Sequence, residues 1–311
     1  MSLFNSLGRL VRRLDRLQRR HSVLGFPLAL IRKYSEDEGG HRAALLTYYG
    51  FLSLFPLLLI LSSVLKLLLR NNPEASEHII SSVTAYVPVI GSELERNIHS
   101  LGETGVALAL GLFVTLYGAH GVADVLRGSL DQMWGVPRVK RIMFPHNLLR
   151  SMVTVITAGV GLVFTSAISG YTLTLGRSWV FHALAGLLTT FLLFWVLIII
   201  QMGASRQHPL HKIWLGSLLI AISLELLQLL GGYIVTRELN RLDSLYGTFA
   251  IVLGLLSWIY LQAQVLMYGF EIDALRSFGL WPRSLQTPLI EADRRAYQLY
   301  NERSHFPDGS A

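Results

Sequence analysis

The sequence predicts an all-α, polytopic membrane protein: a six-transmembrane-helix bundle with its N- and C-termini in the cytoplasm. Composition is the first observation, because 52% of the 311 residues are hydrophobic and only 15% are charged. Soluble domains are about 45–50% apolar and about one quarter charged. The second observation is a series of six long apolar stretches, and the third is the clustering of Lys and Arg in alternate gaps between them. Together they indicate that lipid surrounds most of the chain.

Each apolar stretch is long enough to cross a bilayer as a helix. A hydrocarbon core of ~30 Å requires about 20 residues at ~1.5 Å rise per residue. Hydrophobicity within the stretches is continuous rather than alternating, which favours helices over the strands of a membrane barrel. The predicted spans are residues 43–69, 104–126, 151–175, 180–203, 213–236 and 246–270.

The distribution of basic residues predicts the orientation of these spans. Of 27 Lys and Arg residues, 21 lie in 1–42, 127–150, 204–212 and 276–303. In a six-span protein those four regions share one side of the membrane, and the positive-inside rule assigns that side to the cytoplasm. The basic pI of about 9.8 therefore reflects orientation and does not indicate a nucleic-acid partner. We expect a multi-pass protein of the bacterial inner (cytoplasmic) membrane, with the first span inserted as an uncleaved anchor.

The predicted domain organisation has three parts: residues 1–34, a transmembrane domain over 35–278, and a cytoplasmic tail over 279–311. In residues 2–20, Leu recurs every three or four positions and Arg fills the opposite face. This pattern predicts a basic amphipathic helix that lies on anionic lipid headgroups. A short coiled-coil seam, or packing on the protein's own cytoplasmic surface, is the alternative. The long outward loop 70–103 is predicted to form two short interfacial helices.

Polar residues of the first span are candidates for a substrate cavity. Tyr49, Ser53 and Pro56 are spaced i, i+4 and i+7 and share one helix face, with Tyr48 beside them. Pro56 removes one helical hydrogen bond, so a kink is predicted, and Ser53 is placed to bond the freed backbone. Helix packing alone is the simpler explanation of this face.

The fifth and sixth spans supply the other cavity candidates. Glu225 lies near the middle of the fifth span, where a carboxyl group costs several kcal/mol unless it is protonated, paired or hydrated. It either marks a polar cavity or proton-linked site, or is a neutral acid hydrogen-bonded across helices. Gln228 follows one turn later. Tyr246, Gly247 and Gln264 of the sixth span complete the set.

Four residues are candidates for the cytoplasmic interface: Asp124, Arg127, Trp134 and Glu271. Asp124, Arg127 and Asp131 have the i, i+3 and i, i+4 spacings of an ion-pair ladder at the end of the second span. Trp134 is predicted to be an interfacial aromatic anchor. Glu271, at the end of the sixth span, is predicted to form a surface ion pair.

Motifs for soluble enzyme chemistry are absent from the sequence. It contains no G-x-x-x-x-G-K-[ST], H-E-x-x-H or G-x-S-x-G run. His208 and His211 are spaced i, i+3, but no third metal ligand lies near them. We therefore expect no enzyme activity, no cofactor and no metal site.

Three segments resemble one known family. They are the run from Ala43 to Pro56, the run from Leu126 to Pro137, and the sixth-span residues Tyr246, Gly247, Trp258, Ile259, Tyr260, Gly269, Phe270 and Glu271. Over residues 35–278 their spacing is similar to that of the YihY/BrkB family of UPF0761-type inner-membrane proteins. Phe270 stands where that family commonly has Ala. Gln228 stands where it often has Lys, which removes the family's Glu–Lys pairing at Glu225.

The resemblance implies a six-span inner-membrane protein. Some family members carry a ribonuclease BN name, others are linked to virulence or serum resistance, and members are associated with the handling of envelope lipids. The ribonuclease name fits this sequence poorly, because its polar residues lie in or beside lipid and form no metal cluster.

Lipid handling is the function that these features favour. A polar intramembrane cavity would take the headgroup of an anionic phospholipid or glycolipid, which the 2–20 segment and Arg127 would gather. The alternatives are a proton-coupled small-solute permease in which Glu225 carries the proton, and a membrane scaffold that binds an envelope protein partner through loop 70–103.

Overall fold

The computed structural model describes residues 22–68, 105–137, 150–161, 179–203, 209–234, 248–284 and 289–304, with Asp15, Arg141, His146 and Phe164. All regular secondary structure in those ranges is helical, as the sequence predicts. The helices are α1 (Ser22–Glu36), α2 (Gly39–Leu68), α3 (Gly105–Met133), α4 (residues 150–161), α5 (Trp179–Met202), α6 (Leu210–Ile234), α7 (Thr248–Phe278) and α8 (Glu291–Ser304).

Three helices in the described ranges contain segments long and apolar enough to cross a membrane. These segments are Ala183–Met202, Leu210–Gly231 and Val252–Phe278. They overlap the predicted fourth, fifth and sixth spans. Helices α2 and α3 overlap the predicted first and second spans, and α4 overlaps the start of the third. Loop 70–103 and nearly all of the 2–20 segment lie outside the described residues.

Helix α7 is the central element of the described bundle. It packs against α6, α2, α1 and α3, while α2 packs on α3 and α5 on α6. One large core is made of buried apolar side chains from α2, α3, α5, α6 and α7. A smaller cluster around Ala29, Leu275, Leu280 and Ala296 joins α1 and α8 to the end of α7. Where these apolar faces lie outside the lipid, their removal from water is the main contribution that favours packing.

Helices α6 and α7 cross at two glycines. A Cβ atom added to Gly216 would lie 2.2 Å from the carbonyl oxygen of Gly269, and one added to Gly269 would lie 2.1 Å from Cγ1 of Ile220. Neither position has room for a larger side chain. Small residues at such a contact let two membrane helices approach closely enough for dispersion forces to hold them together.

Glycines in the left-handed conformation end α3 and α7. Gly135 has φ 67° and Gly279 has φ 61°. After each glycine, the next amide donates to the carbonyl five residues earlier: Val136 to Asp131 at 2.8 Å, and Leu280 to Leu275 at 3.1 Å. This is the Schellman arrangement, which satisfies carbonyl groups at a helix end. The two stops turn the chain away from the ends of two long helices.

Candidate functional site

Buried charged residues join α1, α3 and α7 at one end of the bundle. The side chains of Lys33, Asp37 and Glu271 are fully buried. Nζ of Lys33 lies 2.5 Å from Oδ2 of Asp37 and 2.6 Å from Oε2 of Glu271, and it also donates to the carbonyl of Met133 at 3.2 Å. Because buried charges are tolerated only when paired, this cluster locks α1 onto the ends of α3 and α7.

Arg42 extends this network along the α2–α3 contact. Its Nε donates to the backbone carbonyl of Asp37 at 3.2 Å, and its guanidinium also hydrogen-bonds the side-chain oxygen of Gln132. Gln132 donates in turn to the carbonyl of Asp37 at 3.2 Å. The turn between α1 and α2 is therefore held by side chains of both long helices.

A second network fastens α8 to α1. Arg283 bonds Oδ1 of Asp293 at 2.9 Å and both carboxylate oxygens of Glu36, at 2.9 and 3.1 Å. Asp293 also accepts from the backbone amide and hydroxyl of Ser284, and the hydroxyl of Tyr300 donates to Glu36 at 2.8 Å. Burial alone raises the pKa of Asp293, but hydrogen bonds from Ser284, Arg283 and the Ile290 amide outweigh it, so its pKa is lowered.

A third network lies where α5, α6 and α7 meet. Asp273 is fully buried, and its Oδ1 accepts the backbone amide of Gly216 at 2.6 Å. Nε2 of Gln201 donates to Oδ2 of Asp273 at 3.0 Å and to the hydroxyl oxygen of Ser217 at 2.8 Å. Oε1 of Gln201 is buried without a hydrogen-bond partner. Neutral donors thus surround this carboxyl group.

The outer surface of α2 and α3 carries a row of polar side chains that we call the tyrosine lane: Tyr48, Tyr49, Tyr117 and Asp124. Tyr48 and Tyr117 are 58% and 54% exposed, and the Asp124 side chain is 56% exposed. The rings of Tyr48 and Tyr49 are 5.2 Å apart, and those of Tyr49 and Tyr117 are 6.2 Å apart. Phenol and carboxyl groups therefore face outward between two long apolar helices.

Two glycines of α3 position the lane. A Cβ atom added to Gly121 would lie 2.3 Å from Cδ1 of Tyr49, and one added to Gly118 would lie 2.6 Å from Cβ of Ser53. The pairing of 49 with 121 and of 53 with 118 shows that α2 and α3 run antiparallel. Ser53 donates to the carbonyl of Gly50 at 3.0 Å, and not to the residue-52 carbonyl that Pro56 leaves without its helical donor. The role predicted for the Ser53 hydroxyl is therefore wrong, and the kink at Pro56 stays a prediction.

The inner end of the lane is anchored by Arg127. Its Nη2 lies 3.6 Å from Oδ1 of Asp124 and donates to the hydroxyl of Ser151 at 2.5 Å. The Asp124–Arg127 half of the predicted ladder is confirmed. Arg127 is buried, and its guanidinium is directed at Ser151 of α4. The sequence did not indicate Ser151 as a partner of Arg127, because Ser151 lies in another helix.

Glu225 lies at the contact between α5 and α6. It is half-buried, and its Oε2 accepts a hydrogen bond from the hydroxyl of Thr189 at 3.2 Å. Its Oε1 lies 3.6 Å from the position that a Cβ on Gly186 would occupy. This is the predicted hydrogen bond across helices. Leu226 and Leu229, beside it, are exposed in the manner of a lipid-facing surface.

Two interface predictions are wrong about burial. Trp134 is buried in the core and packs edge-on against Phe278, with ring centroids 5.8 Å apart, and is not an interfacial anchor. Glu271 does form an ion pair, but with buried Lys33 and not at the surface. Hydropathy places a residue near a helix end, whereas burial depends on which face the neighbouring helices cover.

The remaining cavity candidates are only partly placed. Gln228 and Gln264 are half-buried, on α6 and α7. Tyr246 and Gly247 lie outside the described residues, and nothing is described for the Pro56 side chain. The described contacts place Tyr49 and Ser53 at the α2–α3 contact and Glu225 at the α5–α6 contact.

Sequence reasoning missed four residues that the structure makes prominent: Lys33, Asp37, Tyr117 and Asp273. Lys33 and Asp37 have an i, i+4 spacing just before the first span, which signals an ion pair. Tyr117 is two turns before Asp124 on the same helix face. Nothing in the sequence pairs Asp273 with Gln201 and Gly216, because these residues belong to three different helices.

Comparisons with known proteins agree on one family. A family model described as "Virulence factor BrkB" matches residues 30–278. A UPF0761 membrane protein of Psychrobacter sp. (strain PRwf-1) is 26% identical over 309 residues, which cover 91% of this chain and 54% of the relative. This chain thus spans about half the length of that relative.

Two further relatives are matched over most of both chains. The "Putative ribonuclease-like protein YfkH" of Bacillus subtilis (strain 168) is 22% identical, with 81% of this chain and 95% of the relative covered. The "Inner membrane protein YhjD" of Escherichia coli (strain K12) is 20% identical, with 80% of each chain covered. No solved structure matches this chain.

Proposed function

Because the chain is an integral membrane protein that belongs to the BrkB virulence-factor family, we propose that it moves envelope phospholipids along the tyrosine lane. In this proposal the headgroup travels beside α2 and α3, and the acyl chains stay in the bilayer. We propose that the chain crosses the inner membrane six times and has both termini in the cytoplasm. Its proposed domains keep the boundaries 1–34, 35–278 and 279–311.

The observation that carries the proposal is the outward exposure of polar groups on α2 and α3, which we propose to be spanning helices. Polar side chains at membrane depth normally face the bundle interior or a water-filled cavity. Interfacial tyrosines lie at headgroup level, whereas Tyr117 is nine residues from the predicted end of the second span, or about 13 Å of helix. Tyr117 therefore presents a phenol group where lipid tails would otherwise make contact, and the exposed phenol of Tyr48 lies nearer to the headgroups.

The chemistry of the lane suits a phosphate group. Each phenol O–H donates a hydrogen bond, which a phosphate oxygen accepts. The Asp124 carboxylate is paired with Arg127, so the lane carries little net charge. Basic residues on the proposed cytoplasmic side attract anionic lipids, each by about 1 kcal/mol near the surface. We therefore propose an anionic phospholipid as the substrate.

We also propose a non-enzymatic role. The ribonuclease-like name belongs to the Bacillus subtilis relative. In the ranges that the structure describes, no group of three His, Cys, Asp or Glu side chains is arranged to hold a metal ion. The lane offers hydrogen-bond donors and one paired carboxylate, which suit binding and passage more than bond cleavage.

The test is lipid movement in reconstituted vesicles. Purified protein is placed in vesicles with fluorescent phosphatidylglycerol or phosphatidylcholine, and the label in the outer leaflet is quenched chemically. We expect the anionic lipid to exchange between the two leaflets faster in vesicles that contain the protein than in protein-free vesicles. The Tyr48→Phe/Tyr117→Phe pair is expected to slow exchange about 10-fold or more, because two hydrogen bonds of ~1 kcal/mol each are lost.

Tyr297→Phe is the matched control, because Tyr297 is an exposed phenol on α8, away from the predicted spans. It should leave the rate unchanged. Exchange no faster than in protein-free vesicles would remove the proposal. Equal rates for the double variant and the control would show that the lane takes no part in lipid movement. Faster movement of phosphatidylcholine than of phosphatidylglycerol would contradict an anionic substrate.

A further inference from the structure

We propose that Asp273, with Gln201, Ser217 and the Gly216 amide, forms a proton-binding site at the junction of α5, α6 and α7. This site is separate from the tyrosine lane and from Glu225, and it does not depend on lipid handling. Its ligand is a proton held by the carboxyl group of Asp273.

Burial without a contacting cation is the first argument. Glu271 and Asp293 are also buried, but each touches a cation: Lys33 at 2.6 Å and Arg283 at 2.9 Å. Among the described residues Asp273 has no ion pair, and its partners are a backbone amide and the side-chain amide of Gln201. A buried carboxylate without a cation is costly, and such groups usually neutralise by binding a proton.

The hydrogen-bond inventory of the junction is the second argument. Oε1 of Gln201 is buried and accepts no hydrogen bond, although the residue is only 1% exposed. Nε2 of the same amide already has three oxygen atoms around it, on Asp273, Ser217 and Ile213. Three oxygen atoms therefore share the two hydrogens of this amide. A proton on Asp273 supplies one more donor to these oxygens.

The described charged groups on the helices around Asp273 form no ion pair that would neutralise its carboxylate in place of a proton. On α6, His211 is exposed and Lys212 is half-buried, at the start of the helix. On α7, the charge of Arg276 acts on Asp273 without forming an ion pair, and Arg276 is exposed and lies 5.9 Å over the ring of Trp214, while Glu271 is engaged by Lys33. The α5 partner, Gln201, is neutral. None of these groups forms an ion pair with Asp273 in the described part of the chain.

Position gives the proton a mechanical consequence. Asp273 accepts the amide of Gly216, the residue at which α6 touches the backbone of α7. Losing the proton places a net negative charge at this tight crossing. Because Gln201 also bonds Asp273, the charge reaches the α5 contact too. Proton release therefore changes the cohesion of three helices at once.

The test is infrared difference spectroscopy on the full-length protein in lipid. A protonated carboxyl group has a C=O stretch that a carboxylate lacks, and the band shifts in deuterated water. We expect such a band at mildly acidic pH in the wild type, its loss in Asp273→Asn, and its loss from the wild type as the pH is raised. Glu291→Gln, which removes an exposed carboxylate on α8, is the matched control and should keep the band.

Ser217→Ala serves if Asp273→Asn does not fold. Because it alters the hydrogen bonds around the carboxyl group, it should shift the frequency of the same band. Identical protonated-carboxyl bands in the wild type and Asp273→Asn would overturn the proposal. A band in Ser217→Ala unchanged from that of the wild type would overturn it too. Thermal stabilisation by sodium ions in a wild type that lacks the band would show a metal-ion site in its place.

Discussion

At the scale of single residues, the described structure depends on buried charges that meet their partners over long sequence distances. Lys33 and Glu271 are separated by 238 positions, yet their charged atoms are 2.6 Å apart. Arg283 reaches Glu36 across 247 positions. Each pair replaces water that the buried groups have lost, so the pairs determine how α1 and the chain after α7 must fold back.

The clearest prediction for a single residue concerns Gly135. Gly135→Ala is expected to lower the free energy of unfolding by about 1–3 kcal/mol, because the left-handed conformation strains other residues. The new Cβ would also lie 2.6 Å from Cδ1 of Leu299 on α8. Thermal unfolding in detergent, followed by intrinsic fluorescence, measures the change.

Gly159→Ala is the control for this prediction. Gly159 lies in helical α4, and a Cβ placed there meets nothing within 4 Å. Replacing a helical glycine with alanine typically stabilises by roughly 0.5–1 kcal/mol. Opposite signs for the two variants support the conformational argument, whereas equal losses of stability would contradict it.

At the scale of elements, α8 is held by a network that acid should weaken. The pKa of Asp293 is below its ordinary value, because hydrogen bonds to the carboxylate outweigh burial. A carboxyl group whose folded pKa is lowered contributes fully above its unfolded pKa of about 3.9 and loses that contribution as pH falls through the folded value. We therefore expect α8 to separate from α1 only below about pH 4.

Hydrogen exchange of residues 289–304 measures this release as a function of pH. Asp293→Asn should raise exchange already at neutral pH and flatten the acid response. Glu291→Gln, which removes an exposed pair with Arg295, should leave both unchanged. Protection of α8 in the wild type that does not fall as the pH is lowered below about 4 would show that Asp293 does not hold the helix.

The positions of the helices were largely predictable from the sequence, whereas the burial of particular side chains was not. Hydropathy predicted helices where α2, α3, α5, α6 and α7 are found, because a long apolar run in lipid has few alternatives to a helix. The Asp124–Arg127 contact was predictable, since both residues are on one helix. Burial of Trp134 and Glu271 was not, because it depends on the rotation of α3 and α7 against neighbours distant in the sequence.

At the scale of the whole molecule, the described residues form regions that differ in the chemistry of their side chains. Ion pairs at one end bind α1 and α8 to the long helices, and a hydrogen-bonded polar junction around Asp273 lies between α5, α6 and α7. Apolar side chains of α5 and α6 form much of the exposed surface. The tyrosine lane interrupts that apolar character along α2 and α3. The central claim is that lipid headgroups occupy this interruption.

The most direct measurement of that claim is site-specific crosslinking to lipid. The chain has no cysteine, so Tyr117→Cys and Leu229→Cys each provide one attachment point for a photoreactive probe. Leu229 is an exposed apolar residue on α6 and serves as the matched site. Mass spectrometry of the adducts then identifies which lipids, and which parts of them, were captured. We predict headgroup adducts enriched in anionic phospholipid at position 117, and acyl-chain adducts in proportion to membrane composition at position 229. The same lipids, captured through the same atoms at both positions, would contradict the account.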